Sequence, residues 1–175
     1  MKSLLNDDTI ALRAVEPEDL DVLYRWENDT ELWTVGNSIA PYSRKMLWDY
    51  IENYTADIYG MKQLRLMIVL KETGTPVGTL DLFEFDQHNR RVGIGILIDK
   101  QHSRHGYGLR ALTLATKYAE HHIGVHQIWA TIPIDNKSSL ALFQKCGYKI
   151  CGRLRSWLRR GKGYQDVYML QLLIN

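Results

Sequence analysis

The chain has 175 residues, of which 45% are hydrophobic and 24% charged, and its formal net charge is +2. This length predicts one domain over residues 1–175, and so small a charge gives no argument for nucleic acid. No stretch approaches the ~20 apolar residues of a membrane span, and the two cysteines lack the spacing of a metal site. The N-terminal residues lack a signal-peptide pattern, so we expect a cytoplasmic protein with free thiols and no metal.

The first half of the chain predicts a strand, two helices and three more strands. Residues 9–14 read as a short strand, and the following Glu-Pro-Glu-Asp at residues 16–19 is typical of a helix start. A loop is expected over residues 33–42, with Ser43 as the N-cap of the second helix. Apolar runs separated by turns then predict strands at residues 64–70, 77–85 and 91–98.

The second half predicts a β-α-β unit followed by two closing strands. The expected elements are a helix at 109–122, a strand at 127–134, a short helix from Asn136 to about Lys145, and strands at 148–158 and 164–173. Gly147 ends the short helix as a C′ glycine. A meander of strands before a β-α-β unit predicts an α/β protein of the α+β kind, with a mixed sheet.

The most informative segment is the strand, loop and helix start RVGIGILIDKQHSRHGYG at residues 91–108. Glycines in such a loop let a ligand approach the main chain, and the free N–H groups of the loop and helix N-terminus bind phosphate. The loop also fits G-x-G-x-x-A, but a dinucleotide-binding fold would continue with further βα units. No Gly-Lys-Ser/Thr follows, which excludes a P-loop.

Four segments give the chain a resemblance to the Gcn5-related N-acetyltransferase (GNAT) superfamily. The loop at residues 103–108 resembles the family pattern Gln/Arg-x-x-Gly-x-Gly/Ala, and GILID at 95–99 resembles its fourth strand. The passage from Asn136 to Tyr148 is similar to the family's Asn-led helix with its closing "CGY" turn. Residues 152–167 resemble the branch that contains ribosomal-protein N-terminal and spermidine acetyltransferases. The resemblance covers residues 9–172 and implies a mostly antiparallel sheet of about seven strands, splayed at its centre and flanked by four helices.

The resemblance implies acetyl-CoA as cosubstrate, bound between the fourth and fifth strands. Pantetheine would pair with Ile96, Leu97 and Ile98. Asn136 resembles the residue that bonds the pantetheine arm, although its type also suits a helix N-cap, and Phe143 is expected beside the cofactor. The implied pyrophosphate contacts are Ser103, Arg104, His105, Gly106, Tyr107, Gly108 and Leu109, of which the first two depart from the family pattern.

The resemblance also bears on the acid that protonates the leaving thiolate. Phe143 stands where spermidine acetyltransferases carry a tyrosine, and phenylalanine has no proton to donate. Ser139 matches the serine that ribosomal N-terminal acetyltransferases use three residues after the Asn, and its other interpretation is a polar residue in a first helical turn. Cys146 is a remote second candidate for the acid.

Carboxylates on the third predicted strand are the candidates for the base. Many family members carry a glutamate on the fourth strand where this chain has Gly93. Glu84 is the favoured base and Asp86 the next, whereas strand alternation predicts that Asp81 lies on the opposite face from Glu84. Each of these side chains also suits a solvated strand end.

The chain is therefore expected to transfer acetyl from acetyl-CoA to a primary amine, by direct attack on the thioester. The acceptor would be a small-molecule amine or a peptide N-terminus. No carboxylate stands between Glu31 and Asp49, which argues against a polycation. Trp26, Trp33 and Tyr42 are candidates for lining the acceptor pocket or for ordinary core positions.

Three alternatives remain. They are a spermidine or polyamine acetyltransferase with an altered acid, a non-catalytic acyl-CoA-binding module, which Phe143 favours, and an RNA-associated protein that uses the basic run at residues 153–162. The small net charge gives the RNA alternative the weakest support. A homodimer is compatible with the sequence, and no membrane partner is expected.

Overall fold

The computed structural model describes residues 4–36 and 38–174. Within those ranges it contains seven strands and six α-helices. In chain order they are β1 (Ile10–Arg13), α1 (Leu20–Glu27), α2 (Thr30–Gly36), α3 (Arg44–Glu52), α4 (Ile58–Met61), β2 (Leu64–Leu70), β3 (Pro76–Asp86), β4 (Arg91–Ile98), α5 (Tyr107–Tyr118), β5 (Gln127–Pro133), α6 (Lys137–Lys145), β6 (Lys149–Arg160) and β7 (Gly163–Leu173). None of the described helices is long and apolar enough to cross a membrane.

The predicted helix number and one predicted loop are wrong. Six described helices replace the four expected, because the short α2 and α4 were not foreseen. The helix α2 occupies the start of the predicted loop at residues 33–42, since the Asp29 side chain accepts a hydrogen bond from the Glu31 N–H at 3.0 Å and so caps a new helix. Asn37, also within that predicted loop, lies outside the described residues.

The sheet has the strand order β1-β2-β3-β4-β5-β7-β6 among the described residues. Every neighbouring pair is antiparallel except β4 and β5, which are parallel. These two pair only over three positions and separate after Gly93 and Trp129. Beyond that point β4 stays paired with β3 to Ile98, and β5 stays paired with β7 to Pro133. The prediction of splayed central strands in a mixed sheet is therefore confirmed.

Helices cover both faces of the sheet and hold the splay between them. On one face α5 buries Leu112 against Leu80, Leu82 and Ile128, all of which are fully buried. On the other face α1 and α3 pack Leu23, Trp26 and Ile51 against Met67 and Val69. Each such side chain contributes about 1.5–3 kcal/mol when it is removed from water, so the separated strands are supported by packing on both sides.

Candidate active site

A cavity of about 460 Å³ fills the gap where β4 and β5 diverge. Gly95 and Leu97 line it from β4, and Thr131 and Pro133 line it from β5. The main-chain groups along these facing edges have no neighbouring strand among the described residues. Backbone N–H and C=O groups need partners when they are buried, so the gap suits an extended amide-bearing ligand that pairs as a strand does.

The helix α6 forms the wall on one side of the gap. Asn136, Ser139 and Phe143 all line the cavity. The Asn136 side chain accepts hydrogen bonds from the Ser139 N–H at 3.2 Å and the Ser138 hydroxyl at 3.1 Å, so it is the helix N-cap as well as a lining residue. The Ser139 hydroxyl has no hydrogen-bonding partner among the described residues. Phe143 is buried and packs edge-on against Tyr148, with ring centroids 5.0 Å apart.

The predicted pantetheine residues are only partly brought to the cavity. Ile96 and Leu97 line it, whereas Ile98 is not among its described lining residues. The Ile98 side chain lies beside α5, where a β-carbon placed on Gly108 would be 3.7 Å from Ile98 Cγ1. The same β-carbon would lie 3.1 Å from Leu142 Cδ2. A glycine at position 108 therefore lets the start of α5 lie close to both β4 and α6.

The glycine loop follows the end of β4 and leads into α5. Arg104 and Gly106 have positive φ values of 63° and 79°, a backbone conformation that turns successive N–H groups toward one side. Within the described part of the chain, the first N–H near the start of α5 with an internal acceptor is that of Arg110, which donates to the Gly106 carbonyl at 3.2 Å. The preceding N–H groups are therefore available to an anion.

The side chains of this loop, including the two that depart from the family pattern, differ in what they contact. The Ser103 hydroxyl donates to the Lys100 carbonyl at 2.8 Å, so it closes the loop internally. The His105 ring stacks on Tyr107 with an interplanar angle of 11°. Arg104 forms no ion pair with the described residues and is exposed, so its charge is available next to the free N–H groups. The loop thus has the chemistry of a pyrophosphate site.

A charged network that the sequence did not reveal lines the opposite part of the cavity. Arg65 on β2 donates to both oxygens of Asp81 on β3, at 2.8 and 3.0 Å, and to Glu27 on α1 at 2.8 Å. Burial opposes the charge of Arg65, but the two carboxylates outweigh it and raise the pKa of the guanidinium. The Tyr50 ring lies 5.9 Å from the guanidinium, and burial raises its own pKa to about 12. All three charged side chains are about one-fifth exposed.

The predicted separation of Asp81 and Glu84 onto opposite faces is wrong, since both line the cavity. A bulge interrupts the β3–β4 pairing between Phe83 and Asp86, and Glu84 has a positive φ of 49°. The extra residue breaks the two-residue alternation of the strand. Asp86 is instead the last residue of β3, next to the β3–β4 turn, where hydrogen bonds from Asn89 lower its pKa, and it is not among the described residues of the cavity.

Two glycines on β4 leave a shallow groove beside these carboxylates. Phe83 pairs across the sheet with Gly93, and Asp81 pairs with Gly95. The Phe83 ring fills the place of a side chain at Gly93, where a β-carbon would lie only 2.4 Å from Phe83 Cε2. The ring is held edge-on against Trp129 at 5.2 Å. A carboxylate on β4 at this position is therefore excluded, and the groove over Gly95 is left open.

One buried carboxylate connects the two ends of the site. Asp99, which directly follows β4, accepts the Trp26 indole N–H at 2.9 Å, an Arg25 N–H at 2.7 Å and the Gln101 N–H at 3.0 Å. Trp26 also lines the cavity. Burial would raise the pKa of Asp99, but these hydrogen bonds and the Arg25 charge together lower it. The helix α1 is thereby fixed to the residue from which the glycine loop starts.

Of the remaining candidates, some lie at the cavity and others do not. Trp33 lines the cavity, but Tyr42 and Cys146 are not among its described lining residues. Tyr42 is instead fixed to Asn28 by two hydrogen bonds that involve its main chain. Burial raises the pKa of the Cys146 thiol.

Comparison with known proteins identifies this arrangement. Residues 9–149 match the acetyltransferase (GNAT) domain family. An N-acetyltransferase of Bacillus licheniformis, p20, is 28% identical over 97% of this chain and 95% of its own length. The L-amino acid N-acetyltransferase AaaT of Escherichia coli is 23% identical over 92% of this chain and 96% of its own.

The fold also matches a solved structure, that of spermidine N-acetyltransferase from Vibrio cholerae in complex with CoA and spermine. The TM-score is 0.85 at 21% identity, over 95% of this chain and 96% of the other. The family match covers most of the chain and includes the glycine loop, the splayed strands and α6. The chain therefore belongs to the GNAT acetyltransferase family and is an N-acetyltransferase that takes its acetyl group from acetyl-CoA.

Proposed function

We propose that the chain transfers the acetyl group directly to a primary amine, either a small molecule or a peptide N-terminus. The observation that carries this proposal is the gap between β4 and β5, whose cavity is lined by α6 on one side and by α1 and β3 on the other. Donor and acceptor can enter it from different directions and meet beside Leu97. Such positioning supplies much of the rate of a group-transfer reaction.

The cofactor would be held mainly by main-chain groups. Pantetheine pairs with the free edge of β4 at Ile96, Leu97 and Ile98, and Asn136 and Phe143 bound it from α6. The pyrophosphate takes the N–H groups and positive charge of the loop between Ser103 and Leu109. The free N–H groups and the positive φ values in the loop support this assignment.

The chemical step needs a base, an oxyanion donor and an acid. Glu84 removes a proton from the ammonium of the acceptor, and the neutral nitrogen forms its bond to the thioester carbon. A strand N–H near Leu97 stabilises the oxygen as it becomes negative. As the carbon–sulfur bond breaks, the CoA thiolate takes the Ser139 hydroxyl proton, and that hydroxyl is reprotonated by the second proton that the nitrogen loses as the amide forms. Glu84 returns the first proton to solvent, so the products are the amide and the CoA thiol and both side chains are restored.

Ser139→Ala tests the assignment of the acid. We expect kcat to fall by about 100-fold with little change in the Kd of acetyl-CoA, because the hydroxyl has no structural partner among the described residues. Ser138→Ala is the matched control, since Ser138 lies one position earlier and its hydroxyl donates to Asn136. If Ser139→Ala keeps the same kcat as Ser138→Ala and the wild type, the proton comes from water instead.

A non-catalytic acyl-CoA-binding module is the second candidate, and one observation favours it. Phe143 is buried beside the cavity and cannot supply a proton. A thiol-release assay with acetyl-CoA and a panel of primary amines and N-terminal peptides separates the two functions. Release above the hydrolytic background supports transfer, whereas tight CoA binding with no release for any amine supports the module.

The expected homodimer and cytoplasmic location remain proposals. The edge strand β6 and the start of β7 expose Trp157 and Tyr164 by 60% and 69%, which supports an interface on that side of the sheet. Cys146 and Cys151 are both free thiols, as expected in a reducing compartment. Light scattering on purified protein tests the dimer, and a monomer at micromolar concentration would contradict it.

A further inference from the structure

The acceptor end of the cavity has the opposite charge from the chain as a whole. The chain carries a formal net charge of +2. Among the described residues that line the cavity, the ionisable side chains are three carboxylates, of Glu27, Asp81 and Glu84, and one guanidinium, of Arg65. One cation does not neutralise three anions, so this end of the cavity keeps a negative potential.

Three of the five N–H donors of Arg65 are already taken by protein carboxylates, which lowers its capacity for an anionic ligand. Its Nε and Nη2 donate to Asp81, and its Nη1 donates to Glu27. Its main chain is fixed as well, because the Tyr54 hydroxyl bonds both the N–H and the carbonyl of Arg65 at 2.8 Å. A ligand carboxylate would have to displace one of these protein carboxylates or lie against both of them. Either event is unfavourable in a partly buried site.

We propose that the Glu27–Arg65–Asp81 network determines acceptor specificity by excluding carboxylate-bearing amines, so that the acceptor is a primary amine without a nearby carboxylate. This inference rests on the proposed transfer to an amine and names the substrate class of that same site. The network presents a net negative charge to the acceptor, which attracts an ammonium group and repels an amino acid's carboxylate. Arg65 serves to hold the two carboxylates in place.

The experiment compares amines that differ in one group. ε-Aminocaproamide and ε-aminocaproate carry the same primary alkylamine. A shorter pair, γ-aminobutyramide and γ-aminobutyrate, tests how the effect depends on the distance between the amine and the carboxylate. The measurements are kcat/KM with acetyl-CoA and, separately, calorimetric Kd values for the CoA-saturated protein. We expect the amides to be favoured over the acids by about tenfold or more in both measurements.

The variant Glu27→Gln removes one charge of the network and leaves the Arg65–Asp81 pair intact. We expect it to reduce the preference for the amide several-fold. Asp21→Asn is the matched control, because Asp21 lies on the same helix and pairs with Arg44, but is exposed and is not among the described lining residues. The control should keep the wild-type preference.

The outcomes separate this inference from the proposed function. Equal or better binding of the acids, or a preference that Glu27→Gln leaves unchanged, would overturn the exclusion of carboxylates. No binding of either amide would overturn it as well. If the amides bind selectively but acetyl transfer is absent, the specificity network is supported and the catalytic proposal fails.

Discussion

The two glycines on β4 allow folding and catalysis to be perturbed separately. Gly93 and Gly95 lie two positions apart on the same face of one strand, and both are next to Phe83. Gly93 has its side-chain space filled by the Phe83 ring, while Gly95 borders the open groove. Alanine at each position therefore adds the same methyl group to two different environments.

The expected magnitudes follow from the distances. At Gly93 the new β-carbon would lie 2.4 and 2.7 Å from Phe83 Cε2 and Cζ, so the ring must move although Trp129 packs against it. Overpacking of this kind costs about 1–3 kcal/mol, which lowers the Tm of a chain this long by roughly 2–12 °C. At Gly95 the nearest neighbour is Phe83 Cε1 at 3.7 Å, an ordinary contact, so the Tm should stay within about 2 °C of wild type.

Gly95→Ala should lose activity although its Tm stays close to that of the wild type. Its methyl group would project into the groove beside Asp81, where the acceptor approaches the thioester in the proposed mechanism, so we expect kcat/KM to fall by about tenfold or more. Thermal unfolding and the thiol-release assay measure the two effects. The control is Gly152→Ala on β6, where a β-carbon meets nothing within 4 Å. Wild-type kcat/KM in Gly95→Ala, or wild-type Tm in Gly93→Ala, would refute the reasoning.

Two further substitutions test the connection between α1 and the loop, and the loop itself. Asp99→Asn should cost about 1–3 kcal/mol in urea unfolding at neutral pH. The pKa of Asp99 is lower in the folded than in the unfolded state. Its contribution to the free energy of unfolding is therefore complete above the unfolded pKa of about 3.9 and is lost as the pH falls through the folded pKa. A stability difference between wild type and Asp99→Asn that does not narrow in acid would contradict this. In Gly106→Ala the added β-carbon meets no atom within 4 Å, but the residue must keep a φ of 79°. We therefore expect the free energy of unfolding to fall by about 1–2 kcal/mol and the KM for acetyl-CoA to rise. An unchanged KM would contradict the assignment of the loop to the pyrophosphate.

The sequence predicted the strands at the centre of the sheet better than the helices around the acceptor. Bounds of β2 and β4 agree to the residue, because each is an apolar run that ends at a turn. Ser43 caps α3 as predicted, through a hydrogen bond from the Met46 N–H at 3.1 Å. The short helix α2 was missed, since it begins at a local cap on Asp29 and lacks a long apolar period.

The cofactor half and the acceptor half of the site also differed in how far the sequence could predict them. The proposed cofactor half consists of two short segments, so a loop pattern and an Asn-led helix were enough to predict it from the sequence. The acceptor half unites Arg65 with Glu27 and Asp81, which are 38 and 16 positions away. Its only sequence signal was a charged residue inside the apolar strand LRLMIVL, because a buried charge needs partners. Which carboxylates supply them depends on packing between α1 and the sheet.

The bulge in β3 bears on which carboxylate we propose as the base. Phe83 occupies the space beside Gly93, so we place the proposed proton acceptor on β3 rather than on β4. Asp81 and Glu84 both reach the cavity, but both oxygens of Asp81 already accept hydrogen bonds from Arg65. Glu84 forms no ion pair with any described residue, so its oxygens are free to take a proton from an arriving ammonium. We therefore expect Glu84→Gln to lower kcat for every amine, and Asp81→Asn to change which amine is preferred; the converse pattern would exchange their roles.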